Sequence, residues 1–540
     1  MNIRRIIFWP LVLLFAAWIG WSCLYFPFDR ERLYHPIPGN AMFVSEHRDL
    51  ARRWDGIGRD VLTASLTQFI GVQGRRADRV LQDPQLAWMI RNIARSDTVI
   101  AYVPNLIYSG SPAWIFSTWV GARGLLLRTE LSNGLITGFR NELLEGGRRA
   151  WRLEQPLTKD GWCLSLAVVE GVMVGYIGPD PGGIRVLIDR IERKTALLPE
   201  LRMWFKPDSS PDGFSQDFWN ANDRGWLRWY TREHGAPVQR WVRFAMKPGE
   251  GLGTEVWVRG KPGFTLPAGG AGAQGRDPVS ERAMQELLRD APAMALGLSK
   301  VAAEAWLRDA PLPRPVRMAI ELVQADTITN APLVVAMCTT NFSGRMMGLR
   351  VPTLVAMTPL VQVTNLQAWA SEKLDRVNAR HGTSLIAAAA ADDAVSLVLD
   401  DVGSGPLGKL QAGEKPGIAL RGGWLIFASN FEALERMRTL EPPADPMAAS
   451  LLPQVLEGSK SGACFTAALP ATHDVLIKAL AVYDLMNYGQ GVSRPPWRDA
   501  MDRAVAWLEA AAPLRTVTVE LKAAQDEMQA VIRLGPAAAP

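Results

Sequence analysis

Two stretches of the chain, NAMFVSEHRDLARRW (Asn40–Trp54) and APAMALGLSKVAAEAW (Ala291–Trp306), decide how the rest is read. Ala41, Met42, Ala51 and Trp54 match Ala293, Met294, Ala303 and Trp306, each pair 252 positions apart. A second pair of blocks, LAVVEGVMVGYI and IALRGGWLIFAS, keeps that register, with Gly171 matching Gly423. Self-similarity at one fixed displacement is the mark of a duplicated unit. Further on the spacing changes but the order persists. Trp226–Gly260 and Trp507–Leu534 each open on a Trp-Leu pair, pass an Ala-Pro joint (Ala236-Pro237, Ala512-Pro513) and continue as two alternating runs around a turn.

The expected organisation follows. Repeat 1 covers 41–265 and repeat 2 covers 281–535, joined by the Gly/Ala-rich linker 266–280 and closed by a short tail, 536–540. Each repeat begins with a short strand and a helix that places Leu50 and Trp54 on one face. A further helical pattern is broken near Pro84, and strands follow at TVIAYVP and AWIFSTWV. A hairpin turns at Glu170-Gly171, and the helix GIRVLIDRIERK has its counterpart in FEALERMRTL. The turns are short enough for antiparallel pairing. The predicted fold class is α+β: an N-terminal transmembrane helix, then two tandem repeats, each a mainly antiparallel sheet with helices packed on one face.

The N-terminus prompts the transmembrane expectation. Ile6–Phe28 carries no charged side chain and is long enough for a ~30 Å hydrocarbon layer. Trp9, Trp18, Trp21 and Tyr25 lie toward its ends, and Arg4 and Arg5 precede it. This predicts a cytoplasmic tip (1–5), a signal-anchor helix (6–28), a juxtamembrane segment (29–40) and a periplasmic body on the inner membrane, with the membrane as partner through Ile6–Phe28. Lipidation at Cys23 fits less well, because Trp21 stands where a small residue belongs. Cys163, Cys338 and Cys464 leave room for at most one disulfide.

Composition excludes some classes of function. With 48% apolar and 21% charged residues the chain is globular, and a net charge of +5 without any Lys/Arg run does not suggest nucleic-acid binding. In VSLVLDDVGSGPLGKL (Val395–Leu410), Gly403, Gly408 and Lys409 approach the spacing of a phosphate-binding loop. Leu410 stands where the Mg²⁺-holding Ser or Thr is needed, and Gly413 and Pro416 end any following helix at once. The run reads as a lengthened turn between two strands, so no nucleotide is expected.

Candidate chemistry is sparse. His35, His47, His234, His381 and His473 are scattered without metal-ligand spacing, and there is no nucleophile-elbow motif. Asp212, Asp217, Asn220, Asn222 and Asp223 read as a polar surface loop, because the calcium-loop spacing is absent. The acids and bases of one repeat are not repeated in the other: Glu46 matches Leu298 and His47 matches Ser299. No catalytic residue, cofactor or metal is therefore expected. Tryptophan, with 20 residues, is the outlier, and Trp204, Trp219, Trp226 and Trp229 are candidate ligand-surface aromatics.

The strand–helix start PGNAMFVSEHRDLARRW and the Gly-centred hairpin with its helix, GGWLIFASNFEALERM, give a layout that resembles large bacterial single-span envelope proteins grouped as domains of unknown function. That resemblance implies no established activity. The expected function is a membrane-anchored, extracytoplasmic binding or scaffold protein of the cell envelope, not an enzyme, with a protein, lipid or glycan partner. Two alternatives stand beside it. One is a lipid or glycan carrier with an aromatic-lined concavity; the other is a hydrolase with a site in only one repeat.

Overall fold

In a computed structural model, strands that are mostly apolar on both faces form the centre of each half of the chain. The structure describes residues 27–59, 71–72, 75–76, 84–106, 111–157, 161–195, 223–233, 236–247, 255–261, 292–299, 302–303, 318, 321–323, 333–338, 344–346, 349–359, 365–390, 393–401, 411–421, 424–436, 455, 462–486, 496–511, 514–524 and 527–535. Two units divide the chain, Met1–Gly253 and Thr254–Pro540.

Unit 1 contains β1 (Phe43–His47), α1 (Leu50–Arg59), α2 (Pro84–Ile93), β2 (Thr98–Val103), β3 (Ala113–Trp119), α3 (Arg123–Ser132), β4 (Phe139–Leu143), β5 (Arg149–Leu153), β6 (Cys163–Val169), β7 (Val172–Gly178), α4 (Gly183–Glu192), β8 (Asp223–Glu233) and β9 (Ala236–Met246). Its sheet is antiparallel throughout, in the order β9-β8-β1-β2-β3-β7-β6-β5-β4. The β6–β7 connection is a two-residue turn in which Glu170 (φ 46) and Gly171 (φ 81) both adopt left-handed backbone, as the twist of a tight hairpin demands.

Unit 2 contains β10 (Glu255–Lys261), β11 (Met294–Leu298), β12 (Leu333–Cys338), β13 (Thr353–Pro359), α5 (Leu366–His381), β14 (Leu385–Ala390), β15 (Asp393–Asp401), β16 (Gly417–Arg421), β17 (Trp424–Ala428), α6 (Phe431–Arg436), β18 (Gly462–Ala468), α7 (Leu469–Met486), α8 (Pro496–Ala511), β19 (Thr516–Ala524) and β20 (Glu527–Leu534). Its order is β10-β20-β19-β18-β11-β12-β13-β17-β16-β15-β14. From β19 to β14 this is the order of unit 1 from β9 to β4. α5 is bounded by local chemistry: the Asn365 side chain accepts from the Ala368 N–H, and Gly382 leaves the helix in left-handed backbone (φ 61).

Two expectations are corrected here. The first is the fold class. Twenty antiparallel strands dominate, and in each unit helices pack on both faces of the sheet rather than one. On β7, Val172, Val174 and Tyr176 meet Ile184, Leu187 and Ile188 of α4, whereas Met173 on the opposite face shares a core with Leu127 and Leu131 of α3. On β17, Trp424, Ile426 and Ala428 meet α6, while Leu425 and Phe427 meet Leu366, Ala370 and Leu374 of α5. Runs such as CLSLAVV and WLIFA lack alternation because neither face is wet.

The second is the membrane anchor. Among the described residues no helix is long and apolar enough to cross a membrane, and residues 1–26 lie outside them. Pro27 and Phe28, the end of the expected span, are described and not helical, and the Phe28 ring meets Trp119 edge-on at 5.5 Å. That end of the stretch belongs to the body of unit 1. The signal-anchor reading, the single-pass inner-membrane placement and the membrane partner through Ile6–Phe28 rested on that helix and are withdrawn with it.

Smaller differences concern the repeat. Trp226-Leu227 lies in strand β8 but Trp507-Leu508 in helix α8, so the strand that occupies β8's place is β18. Residues 255–261 pair with β20 in unit 2. The linker 266–280 and the glycine run Gly403–Lys409 lie outside the described residues, although the strands flanking that run, β15 and β16, pair antiparallel with each other. Cys163, Cys338 and Cys464 are buried and not joined in disulfides, and Cys23 lies outside the described residues.

The two-sided sheet yields a test. Gly175 of β7 lies opposite Phe116 of β3, and a Cβ there would fall 1.9 Å from the Phe116 ring. Gly175→Ala should destabilise unit 1 by about 1–3 kcal/mol through overpacking. In urea unfolding, the loss should shrink when Phe116→Leu is added; an unchanged loss would mean the ring is not what the glycine accommodates.

Candidate functional site

Strand alternation puts Ser45 and His47 on one face of β1 and Glu46 on the other. The same rule separates Asp223 from Arg224 on β8. Because β1 and β8 are antiparallel with Glu46 opposite Arg224, the two sets meet: carboxylate with guanidinium on one face, imidazole with carboxylate on the other.

On the first face Glu46 is 2% exposed. Its Oε2 accepts from Tyr34 Oη at 2.6 Å and from Arg224 Nε at 3.0 Å, and its Oε1 accepts from Arg30 Nε at 2.8 Å. Burial pushes the Glu46 carboxyl pKa upward, but Arg224, Arg30 and the Tyr34 hydroxyl outweigh it and leave the group below its ordinary value. Tyr34 moves the other way: burial, then the Glu46 charge, raise it well above a free phenol. Asp97 is also raised, by burial first and then by the Glu46 charge.

On the second face His47 Nδ1 lies 3.0 Å from Asp223 Oδ2, and its Nε2 lies 2.9 Å from Ser45 Oγ. With Asp223 ionised, Nδ1 carries the proton it donates, so the neutral ring accepts the Ser45 hydroxyl at Nε2. Asp223 also accepts from Arg53 Nη2 at 2.6 Å and from the Arg48 N–H at 3.1 Å. Burial raises the Asp223 pKa, and His47 and Arg53 together more than reverse that shift. The turn that brings Arg48 and Arg53 round passes through Asp49 in left-handed backbone, φ 44.

Serine, imidazole and carboxylate in this order form the constellation by which a hydroxyl is activated as a nucleophile. Access is the missing part. Ser45 is 1% exposed, its strand is paired on both sides, and the Phe244 ring covers Gly225, which lies opposite it in register. Arg53 also shares the Asp223 oxygen that holds His47, which weakens the carboxylate's pull on the imidazole.

None of these groups recurs in unit 2. The register positions of Glu46 and Arg224 hold Leu298 and Ala463, and those of Ser45 and Gly225 hold Gly297 and Cys464. The counterpart of Asp223 is Gly462, where a Cβ would lie 2.3 Å from the Leu521 carbonyl oxygen, so no side chain fits there. Burial pushes the Cys464 thiol up to about 12, so it supplies no thiolate.

Sequence reading took Asp223 for a loop residue, set Glu46 and His47 aside because the other repeat lacks them, and did not single out Ser45 or Arg224. Asp223 instead opens β8 and is buried. Of the four aromatics singled out, Trp226 is buried in the core of unit 1, Trp229 is half-buried on β8, and Trp204 and Trp219 lie outside the described residues. Among the described residues no group of His, Cys, Asp and Glu could hold a metal ion. No protein-family model, curated protein or solved structure matches this chain.

The Glu46 cluster predicts a specific energetic pattern. Arg224→Ala strips a buried carboxylate of a principal partner and should cost about 3–5 kcal/mol. Glu46→Leu with Arg224→Ala, the pair unit 2 uses, should recover much of that loss in urea unfolding; equal losses would refute the charge account. Glu46 and Asp223 both have depressed folded-state pKa values. Their stabilisation is thus present above the ordinary carboxylate range and fades as pH falls through the folded values. Wild-type stability should drop on acidification below about pH 4, and the double variant should lose less.

Proposed function

We propose that this protein acts by binding, and that the distal part of the β8–β9 hairpin is its ligand surface. The observation that carries this reading is a ladder of Trp–Arg pairs that runs outward along the hairpin from a buried base, Trp226 with Arg243 and Arg228 with Trp241, to the half-buried pair Trp229 with Arg240. Alternation puts the first two pairs on one face and the third on the other. The Arg228 guanidinium lies 4.9 Å over the Trp226 ring, and that of Arg243 lies 5.3 Å over Trp241. β1 pairs with β8 only as far as Leu227, so the hairpin runs on past the end of that strand. There Tyr230 is 57% exposed, with Arg232 exposed beside it on the same face, while Leu227, 38% exposed, lies on the other face.

Flat aromatic faces stack on sugar rings, and planar guanidinium forks match carboxylates. The best-fitting ligand is an acidic glycan. Unit 2 has no such surface in the corresponding strands, since β18 and β19, GACFTAA and TVTVELKAA, contain neither Trp nor Arg.

Tryptophan fluorescence of the full chain should respond saturably to a uronic-acid oligosaccharide and far less to a neutral one. Tyr230→Ala and Arg232→Ala should each weaken that binding roughly fivefold, the effect of ~1 kcal/mol. Equal responses to both sugars, or variants that bind normally, would sink this reading. Binding to anionic phospholipid vesicles alone would replace the glycan with a lipid.

The Ser45–His47–Asp223 arrangement favours a second reading, a hydrolase with its site in one unit. The burial of Ser45 weighs against it. An alkyl fluorophosphonate should leave Ser45 unlabelled; labelling that vanishes in His47→Ala would establish the hydrolase instead.

A further inference from the structure

The two units treat the last strand of their sheets differently. In unit 1 this strand is β4, FRNEL, with Arg140 exposed and Glu142 paired with Arg152 of β5 at 2.5 Å. Charges on an outer strand are the usual protection against unwanted strand addition. In unit 2 the same place in the order is held by β14, LIAAAA, which has no charge and no proline. Among the described residues its only strand partner is β15.

The hydrogen bonds say which peptide groups face outward. Asn378 of α5 donates from Nδ2 to the Leu385 carbonyl at 2.8 Å and accepts from the Leu385 N–H at 2.9 Å, so both groups of Leu385 point away from β15. Leu399, opposite Ala387, donates its N–H to Pro416 at 2.8 Å, on the far side of β15. Antiparallel pairs alternate between bonded and non-bonded. The Ala387 and Ala389 peptide groups therefore face outward with those of Leu385, and Ile386 and Ala388 make the bonds to β15. Leu385 has its outward groups closed by the asparagine. Among the described residues nothing pairs with the edge beyond it, and on the sheet face opposite the buried Leu385, Ile386 is 45% exposed and Ala388 is exposed.

We propose that β14 pairs antiparallel with β14 of a second copy of this chain, joining two sheets across a two-fold axis. The edge is complementary to itself. A neutral strand brings no like charges together about the axis, and alanine leaves no bulk between the neighbouring backbones. The donors and acceptors of Ala387 and Ala389 on each copy find their counterparts on the other. Such an interface is isologous and closed, so it yields a dimer and not a fibre. It needs no residue of the β8–β9 hairpin and stands or falls independently of the ligand proposed above.

Sedimentation of the full chain across the micromolar range should show a monomer–dimer equilibrium. In wild-type protein, hydrogen exchange at the Ala387 and Ala389 amides should slow as concentration rises, with no comparable change along β4. Ala388→Lys places two like charges about the axis, and Ala387→Pro removes an outward N–H without touching the β15 ladder. Each should give a monomer whose unfolding midpoint matches that of wild type measured at concentrations low enough to dissociate the dimer. A wild-type chain that stays monomeric, or a dimer whose Ala387 and Ala389 exchange is independent of concentration, overturns the proposal. So does a dimer that survives both substitutions.

Discussion

A carboxylate in the middle of a sheet cannot remain ionised without partners, and Glu46 is such a carboxylate. Left alone in a low-dielectric interior it would take up a proton. Its partners come from three places: Arg30 and Tyr34 from the segment before β1, and Arg224 from β8, 178 residues further along. One side chain thus ties the entry of the chain, the central strand and a distant hairpin to a single arrangement. The adjacent residues repeat the device on the other face, where His47 reaches Asp223 and Asp223 reaches Arg53. A slip of β8 by one residue would carry Arg224 to the face of Ser45 and Asp223 to the face of Glu46. Two carboxylates would then meet, and no slipped register offers an equivalent pairing.

The second unit is an internal control for what these charges do. It builds the same strand order with Leu298, Ala463, Gly297 and Gly462 in their places, so the topology itself needs none of them. Apolar packing on both faces is sufficient there, which agrees with the general finding that buried ion pairs often add little stability over well-packed apolar groups. What the charges do supply in unit 1 is a fixed register for β8. That strand carries Trp226, Arg228 and Trp229, whose faces and cross-strand partners all depend on it.

Much of the architecture was legible in the sequence. The matching blocks at Ala41–Trp54 and Ala293–Trp306, the Glu170-Gly171 turn and the helix after it are local patterns, set by residues close together in the chain. The two-sided burial was misread, although CLSLAVV and WLIFA carried the signal: a strand with one wet face would alternate, and these do not. The anchor was misread because hydropathy alone treats Phe28 as membrane-facing, while its ring packs on Trp119. The polar site was not legible. Ser-Glu-His and Asp-Arg become complementary only once β1 and β8 are known to be neighbours, and no local pattern announces a pairing across so long a stretch. Tryptophan crowding drew attention to this hairpin, but Trp226 and Trp229 fall on opposite faces of β8, a separation that composition cannot express.

The contrast at the far end of β8 bears most directly on function. In unit 2 the chain leaves β18 into α7, returns through α8 and enters β19 only afterwards. Leu469, Leu508 and Ala511 make a small core there with Val517, so the apolar side chains at these strand ends are covered. In unit 1 the same two strands are joined by residues 234–235 alone. Nothing comparable can be packed into so short a connection, and Arg228, Trp229, Arg240, Trp241 and Arg243 stand where unit 2 has Ala, Thr and Val, while Trp226 matches Phe465. At the base of the hairpin the Arg228 guanidinium lies over the buried Trp226 ring and donates to the Gly39 carbonyl, so this stacked pair packs inside the unit. Within one strand order, then, the same pair of strands ends under a helical cover in one unit, and in the other runs out as a bare hairpin that exposes Tyr230 and Arg232.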